Sequence, residues 1–347
     1  MKEVTTIGID LAKIVFQLHG VDAAGTVVLG RQLRRRDVVA FFGKLRPCLV
    51  GMEACGSAHH WARVLAELGH TVRLMPPRYV KAYVKRGSTD ATDAEAICEA
   101  VTRPSMRFVT VKTIEQQSVL MLHRARDLLI GQRTQSINAV RAHLAETGII
   151  AAPGREGIAA LMALVKDHED NRLSAVARLA LAALVAMIES LGERIAGLDS
   201  AIRAVHRSSP TSLRLESIPG VGPLLASAVV ATVGDGRAFR SGRAFSAWTG
   251  LTPRIEGTGG RTTTGRITKQ GERHLRRLLV LGATSILAQA RRHPGKHPAA
   301  AGLLARLDFK QAAVALANKM ARTIWALLVR GGTYAPGHQP LASARRV

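Results

Sequence analysis

Four acidic residues stand where phosphodiester chemistry would need them. Asp10 ends a β-rich run in Ile7-Gly-Ile-Asp10, and Glu53 ends another in Gly51-Met-Glu53. Asp90 and Asp93 open a helix-like segment in Thr89-Asp-Ala-Thr-Asp-Ala94. Residues three apart on a helix share a face, so both aspartates can point one way. Phosphodiester transfer works well with two divalent ions about 4 Å apart, which activate the attacking oxygen and stabilise the leaving one. Mg²⁺ (or Mn²⁺) takes hard oxygen ligands, so three or four carboxylates make its natural cage. Singly, each acid reads as a helix cap or a surface charge. Together, in this order and within this strand pattern, they favour a metal site. His59 and His60 follow closely and read as a helix-surface pair.

Elements that would position these acids are legible in the first hundred residues. Val4–Ile9 is β-rich, while Ile14–Val21 and Thr26–Leu33 alternate around the turn Asp22-Ala-Ala-Gly25, which predicts consecutive antiparallel strands. Val38–Leu45 is helix-like, Cys48–Met52 a short buried strand, Ala58–Leu68 a helix stopped by Gly69, and Thr71–Met75 a fifth strand. Three strands, helix, strand, helix, strand, helix is the order of a ribonuclease-H-like fold. Beyond it, Ile114–Thr147 and Leu173–His206 are long helical segments, broken at Ala151–Glu156, which predict a helical hairpin or coiled coil. A third region opens at Ser217-Ile-Pro-Gly-Val-Gly222, where Gly220 and Gly222 would expose backbone N–H groups to phosphate as in a helix-hairpin-helix. The alternative there is an ordinary turn between helices. Gly257–Gly271 reads as a loop, Leu275–Ala290 and Phe309–Val329 as apolar helices, and Gly331–Val347 as a tail. The expected domains are 1–108, a spacer over 109–210, 211–332, and the tail 333–347.

Charge supports a polyanionic partner. The 347 residues carry a formal net charge of +24, and residues 211–347 alone hold 21 Lys+Arg against 5 Asp+Glu. A solvated basic surface is the bland alternative, but the acids thin out where the bases gather. Cys48, Cys55 and Cys98 match no zinc spacing and cannot pair completely, which implies a reducing compartment. The chain enters a strand with no leader-like segment, and the longest apolar stretch, Leu173–Leu191, reads as too polar to span a bilayer. A cytoplasmic protein with no membrane partner is expected. Only Tyr79, Tyr83 and Tyr334 are available as tyrosine nucleophiles, and none sits among clustered Arg and His.

Ile7-Gly-Ile-Asp10, Met52-Glu-Ala54, Thr89-Asp-Ala-Thr-Asp-Ala94, Ile218-Pro-Gly-Val-Gly222 and Gly250-Leu-Thr-Pro253 resemble the transposases of the IS110 family, in its IS1111 branch. The likeness runs over about residues 4–330. It implies a RuvC-like DEDD domain, a coiled-coil spacer and a C-terminal transposase domain. It also implies DNA recombination directed by a structured noncoding RNA that pairs with donor and target DNA. The family's four acids map onto Asp10, Glu53, Asp90 and Asp93, as catalytic residues and metal ligands. Homo-oligomers (dimer or tetramer) are implied, in which one subunit's carboxylates meet another's nucleophile. The family's catalytic serine, nine residues into the Gly-Leu-Thr-Pro motif, is Thr258 here, in Glu256-Gly-Thr-Gly259. Threonine carries the same hydroxyl with a crowding β-methyl. Thr262, Thr263 and Thr264 are alternatives if the register slips, and all of them read otherwise as phosphate contacts.

Arg254, Arg261, Arg266, Lys269, Arg273, Arg276 and Arg277 are candidates for holding the scissile phosphate or the RNA. A solvated helix face explains Arg276 and Arg277 as well. Trp248 reads as core. Two rival functions remain, a structure-selective nuclease using carboxylates and water, and a nucleic-acid-binding protein without catalysis.

Overall fold

The computed structural model describes residues 3–85, 87 and 89–335, so residues 336–347 of the expected tail lie outside the described residues. Contacts divide the chain into two compact units, Met1–Ile114 and Glu115–Val347.

The first unit is mixed α/β. Strands β1 (Thr6–Leu11), β2 (Val15–Val21) and β3 (Val27–Arg34) lead to helix α1 (Val38–Phe42), β4 (Leu49–Glu53), helix α2 (Ala58–Glu67), β5 (Thr71–Met75), the short α3 (Pro77–Val80) and α4 (Asp90–Val101). The expected element order is therefore observed, with no boundary moved by more than three residues and β5 where it was expected. The sheet order is β3-β2-β1-β4-β5, with β1 antiparallel to β2 and parallel to β4. Both faces of the central strands are covered, which explains why β1 is buried over its first four residues. Side chains alternate across a strand, so Ile7, Ile9, Val50 and Met52 enter the core beneath α1 and α2, with Phe16, Phe42 and Trp61. Ala96, Ile97, Ala100 and Val101 of α4 form a second core on the opposite face.

The second unit is helical apart from one hairpin. It comprises α5 (Ile114–Glu146), α6 (Arg155–Lys166), α7 (Ala175–Ser208), α8 (Pro210–Glu216), α9 (Pro223–Val233), α10 (Gly242–Trp248), strands β6 (Pro253–Thr258) and β7 (Arg261–Ile267), α11 (Arg273–Arg292), α12 (Pro298–Leu304) and α13 (Phe309–Arg330). Helices α5 and α7 run antiparallel: Arg126 pairs with Asp199 at 2.5 Å and Ser136 meets Met187 at 3.4 Å. Val140, Leu144, Leu161, Val165, Leu181 and Val185 seal one end. The sequence reading missed α6, whose C-terminal carbonyls at Leu164 and Val165 accept from the buried Arg178 guanidinium at 3.0 and 2.9 Å. By length and composition, α7 and α13 are each apolar enough to cross a membrane, which corrects the expectation that 173–191 is too polar. Such a window is also what a core helix shows, and half of that in α13 is buried inside the unit.

A buried polar cluster ties α5 to α9 and α11. His123 is 2% exposed and lies 3.1 Å from Ser227 Oγ; His274 Nδ1 lies 2.8 Å from Asp127, which also pairs with Arg277. Burial, then the neighbouring His274, holds the His123 imidazole down to about 4 from an ordinary 6.5. An unfolded chain therefore takes up a proton between pH 6.5 and 4 that the native chain refuses, and stability falls as pH drops through that window. The expected loss is up to about 3 kcal/mol. Denaturation midpoints at pH 7.5 and 4.5 measure it, and His123→Gln, which keeps a donor but does not titrate, should flatten the difference.

Candidate active site

Glycines bring the acids together. Gly8 and Gly51 lie opposite each other in the β1/β4 register, each two residues before a strand-end acid. The two-residue period puts Gly8 with Asp10, and Gly51 with Glu53, on the face that α4 covers. A Cβ on Gly8 would overlap the Ala94 carbonyl oxygen and the Cys98 amide, and one on Gly51 would lie 2.8 Å from Val101 Cβ. Helix α4 thus seats directly on a glycine floor, with its first turn, bearing Asp90 and Asp93, near Asp10. The pattern Gly-x-Asp and Gly-x-Glu was the signal in the sequence, and the sequence reading did not use it. Gly8→Ala must lift α4 from the sheet, so a loss of about 2–3 kcal/mol in stability is expected, together with a loss of strand cleavage. Thermal melts and a cleavage assay check the two together.

The capping alternative for the aspartates fails. Thr89 Oγ1 accepts from Thr92 N at 3.3 Å and Thr92 Oγ1 accepts from Thr89 N at 2.9 Å, so threonines cap α4. Asp10 is half-buried, and its carboxyl is raised above the ordinary range by burial first, then by Asp90 and Asp93, against a lowering backbone hydrogen bond at Leu11. Glu53 is raised by burial, then by Asp10 and Asp93. Even the Cys55 thiol is pushed up by burial and by Glu53 and Asp10. Asp10 thus feels both helix aspartates, and Glu53 feels Asp10 and Asp93. Among the described residues no three His, Cys, Asp or Glu side chains close to coordination distance. An all-carboxylate oxygen set is chemically of the kind that hard divalent cations take. His59 lies outside this set. Its Nδ1 accepts from Lys112 N at 3.2 Å, with Nε2 3.3 Å from Lys112 Nζ, while the His60 ring packs edge-on against Trp61.

Thr258 lies in the second unit. The stretch expected as a loop is instead the hairpin β6–β7, closed by Gly259 and Gly260 at φ 56° and 80°, the conformation that a tight two-residue turn requires. Thr258 is paired directly with Arg261 across the tip, so the two side chains leave the same face of the hairpin. Thr262, Thr263 and Thr264 pair with Gly257, Glu256 and Ile255. Arg254, Arg261 and Arg266 are exposed on the hairpin, with Lys269 and Arg273 beyond its base. Arg276 is committed elsewhere, donating to the carbonyls of Thr249 at 2.8 Å and Gln270 at 3.2 Å, and Arg277 pairs with Asp127. Gly220 (φ 86°) turns the chain between α8 and α9 where a Cβ would lie 2.8 Å from the Gly282 carbonyl oxygen, so packing alone requires a glycine there. Gly222 has open space around it. Trp248 packs with Phe239 and Phe245, as expected of core.

One constellation mimics a catalytic triad. Ser212 Oγ lies 2.7 Å from His206 Nδ1, and His206 Nε2 lies 3.0 Å from Glu216. Ser212 is completely buried, so this cluster fastens α8 to α7 and reaches no substrate.

A five-stranded mixed sheet with acids at the ends of two adjacent parallel strands and on the helix across them is consistent with a DEDD-type nuclease fold, and residues 7–149 match the DEDD transposase family of IS110, described as "Transposase". Residues 212–297 match the "Transposase IS116/IS110/IS902 family". Similarity extends along nearly the whole chain. A "Probable family 20 transposase" of Pseudomonas aeruginosa is 50% identical over 333 residues, covering 95% of this chain and 98% of its own. The "Transposase for insertion sequence element IS1111A" of Coxiella burnetii is 39% identical, covering 97% and 93%. The "Transposase for insertion sequence element IS1328" of Yersinia enterocolitica is 38% identical, covering 96% and 99%. The chain belongs to the IS116/IS110/IS902 family of transposases, enzymes that cleave and rejoin DNA strands.

Proposed function

We propose that this transposase cuts and rejoins DNA with divalent-metal carboxylate chemistry and a hydroxyl nucleophile, directed by a structured noncoding RNA. The observation that carries the chemistry is the glycine floor, which sets Asp10, Glu53 and the first turn of α4 on one face of the sheet. Asp10, Glu53, Asp90 and Asp93 would hold Mg²⁺ or Mn²⁺. A bound ion supplies positive charge at the attacking and leaving oxygens. The Thr258 Oγ attacks phosphorus, forming a phosphothreonine bond as the bond to the leaving strand oxygen breaks, and that oxygen takes up the proton. Rejoining reverses these steps with another strand end. Arg261, opposite Thr258, offers its guanidinium to the non-bridging oxygens. Arg254, Arg266, Lys269 and Arg273 grip the backbone nearby, and the Gly220–Gly222 turn makes a further phosphate contact. Arg276 and Arg277 reach nucleic acid only by leaving their carbonyl and Asp127 partners.

Residues 1–108 serve as the catalytic domain, 109–210 as a helical spacer and 211–332 as the nucleophile-bearing domain. Donor and target DNA, the guide RNA and a homo-oligomer (dimer or tetramer) complete the reading, with a cytoplasmic location. Two measurements test it. Purified protein should carry a discrete structured RNA, recoverable by sequencing. With DNA and Mg²⁺, denaturation and protease digestion should leave a nucleotide on Thr258. Cleavage without an adduct would establish the nuclease reading instead, and binding without cleavage the non-catalytic one.

A further inference from the structure

We propose that the β6–β7 hairpin enters the major groove of B-form DNA as a two-stranded ribbon whose faces divide the work. The uncharged face meets the base edges, and arginines of the charged face hold the flanking phosphates. The inference rests on the reading that this hairpin carries the nucleophile to DNA, and it specifies how the hairpin docks.

Every residue of Pro253–Thr258 is exposed, as is every residue of β7 up to Arg266. The hairpin forms a sheet of two strands only. A ribbon of two strands with neither face packed is marginal in water, so a partner must supply its packing surface. Its mounting is fixed. Thr268 N donates to Thr252 O at 2.9 Å, Lys269 N donates to Gly250 O at 3.2 Å, and Arg276 clasps the carbonyls on both sides of the base. The ribbon is thus held out as an arm on a stiff foot.

The register separates two kinds of face. Directly opposed residues share a face, so Ile255 with Thr264 and Gly257 with Thr262 make one that carries no charge. Ile255 is 72% exposed on it, and Gly257 leaves it shallow, so a flat surface can approach closely. Glu256 with Thr263 and Thr258 with Arg261 make the other face, which Arg254 joins by alternation. With Arg266 and Lys269 nearby, the arm has four cations against the single acid Glu256, so a polyanion is the complementary partner. A-form RNA has a major groove too deep and narrow for side chains to read. The B-DNA major groove is about 12 Å wide and admits a two-stranded ribbon, whose strands are about 4.8 Å apart. There, threonine methyls and Ile255 meet thymine methyls, threonine hydroxyls meet base edges, and the long arginines reach the phosphate walls.

Dimethyl sulfate probing of a 30-base-pair duplex bound by the full-length protein, without divalent cation so that no strand is cut, reads the groove directly. Guanine N7 in the major groove should be protected and adenine N3 in the minor groove left reactive. Arg254→Ala with Arg261→Ala should lower the slope of log affinity against log salt by about 2, near 0.9 per lost phosphate contact, with base preference retained. Thr262→Ala with Thr264→Ala should leave that slope in place and change base preference at the protected positions. Protection of adenine N3, bound DNA with reactive N7 throughout, or equal binding of an A-form RNA duplex would each overturn the proposal. If either double variant failed to fold, the footprint and the RNA competition with the unaltered chain still decide it. The Thr258 adduct is read separately in the presence of metal, so a minor-groove footprint together with an adduct removes the ribbon docking and leaves the nucleophile assignment intact.

Discussion

Replacing Asp10 with Asn is expected to lower strand cleavage on the order of 10³-fold or more while DNA binding changes little. Asp10 is the hub of the acid set: its carboxyl is raised by burial and by both helix aspartates, and it in turn raises Glu53. Asn keeps the size and one oxygen but removes the charge that a divalent ion needs. In the metal-free protein the same substitution removes a half-buried charge that its neighbours repel, so the thermal midpoint should rise while activity falls. Opposite movement of the two readouts separates a working carboxylate from a structural one, because a structural acid loses stability when neutralised. Cleavage rates with Mg²⁺ and melting curves without it provide the test. Asp93→Asn should behave alike, since Asp93 acts on both Asp10 and Glu53. Cleavage near the unsubstituted rate in both variants would remove the carboxylates from the chemistry.

Thr258→Ala should abolish the covalent protein–DNA adduct and lower rejoining on the order of 10³-fold or more. Thr258→Ser should retain both and raise the rate severalfold, because losing the β-methyl frees χ1 and opens the line of attack. The serine variant matters most. A threonine that only touches phosphate would give no adduct in any variant, and its loss would weaken binding and nothing more. Thr262 and Thr264 pair with Gly257 and Ile255, on the opposite face of the ribbon from Thr258, so an adduct on either would mean that the other face meets the scissile phosphate. Mass spectrometry of the trapped peptide distinguishes these outcomes residue by residue.

Local alternation in the sequence was enough to place the first unit's elements. In Ile7-Gly-Ile-Asp10 and Val50-Gly-Met-Glu53 the apolar residues take one face and the glycine and acid the other, because a strand has a period of two and each position announces its side. The acids stood out by their positions in that pattern, and the family motifs then implied their roles. Other features were out of reach of any local pattern. The approach of Asp93 to Asp10 depends on α4 lying on Gly8 and Gly51, a packing event between segments some eighty residues apart. The ribbon was read as a loop because the strand signal is apolar alternation, and a hairpin without a buried face has none. Arg276 and Arg277 read by type as phosphate contacts, yet the fold gives them carbonyls and Asp127 as partners. Residue type sets what a side chain is able to do, whereas only the tertiary structure, through competition for partners in a packed interior, decides which groups stay free to do it.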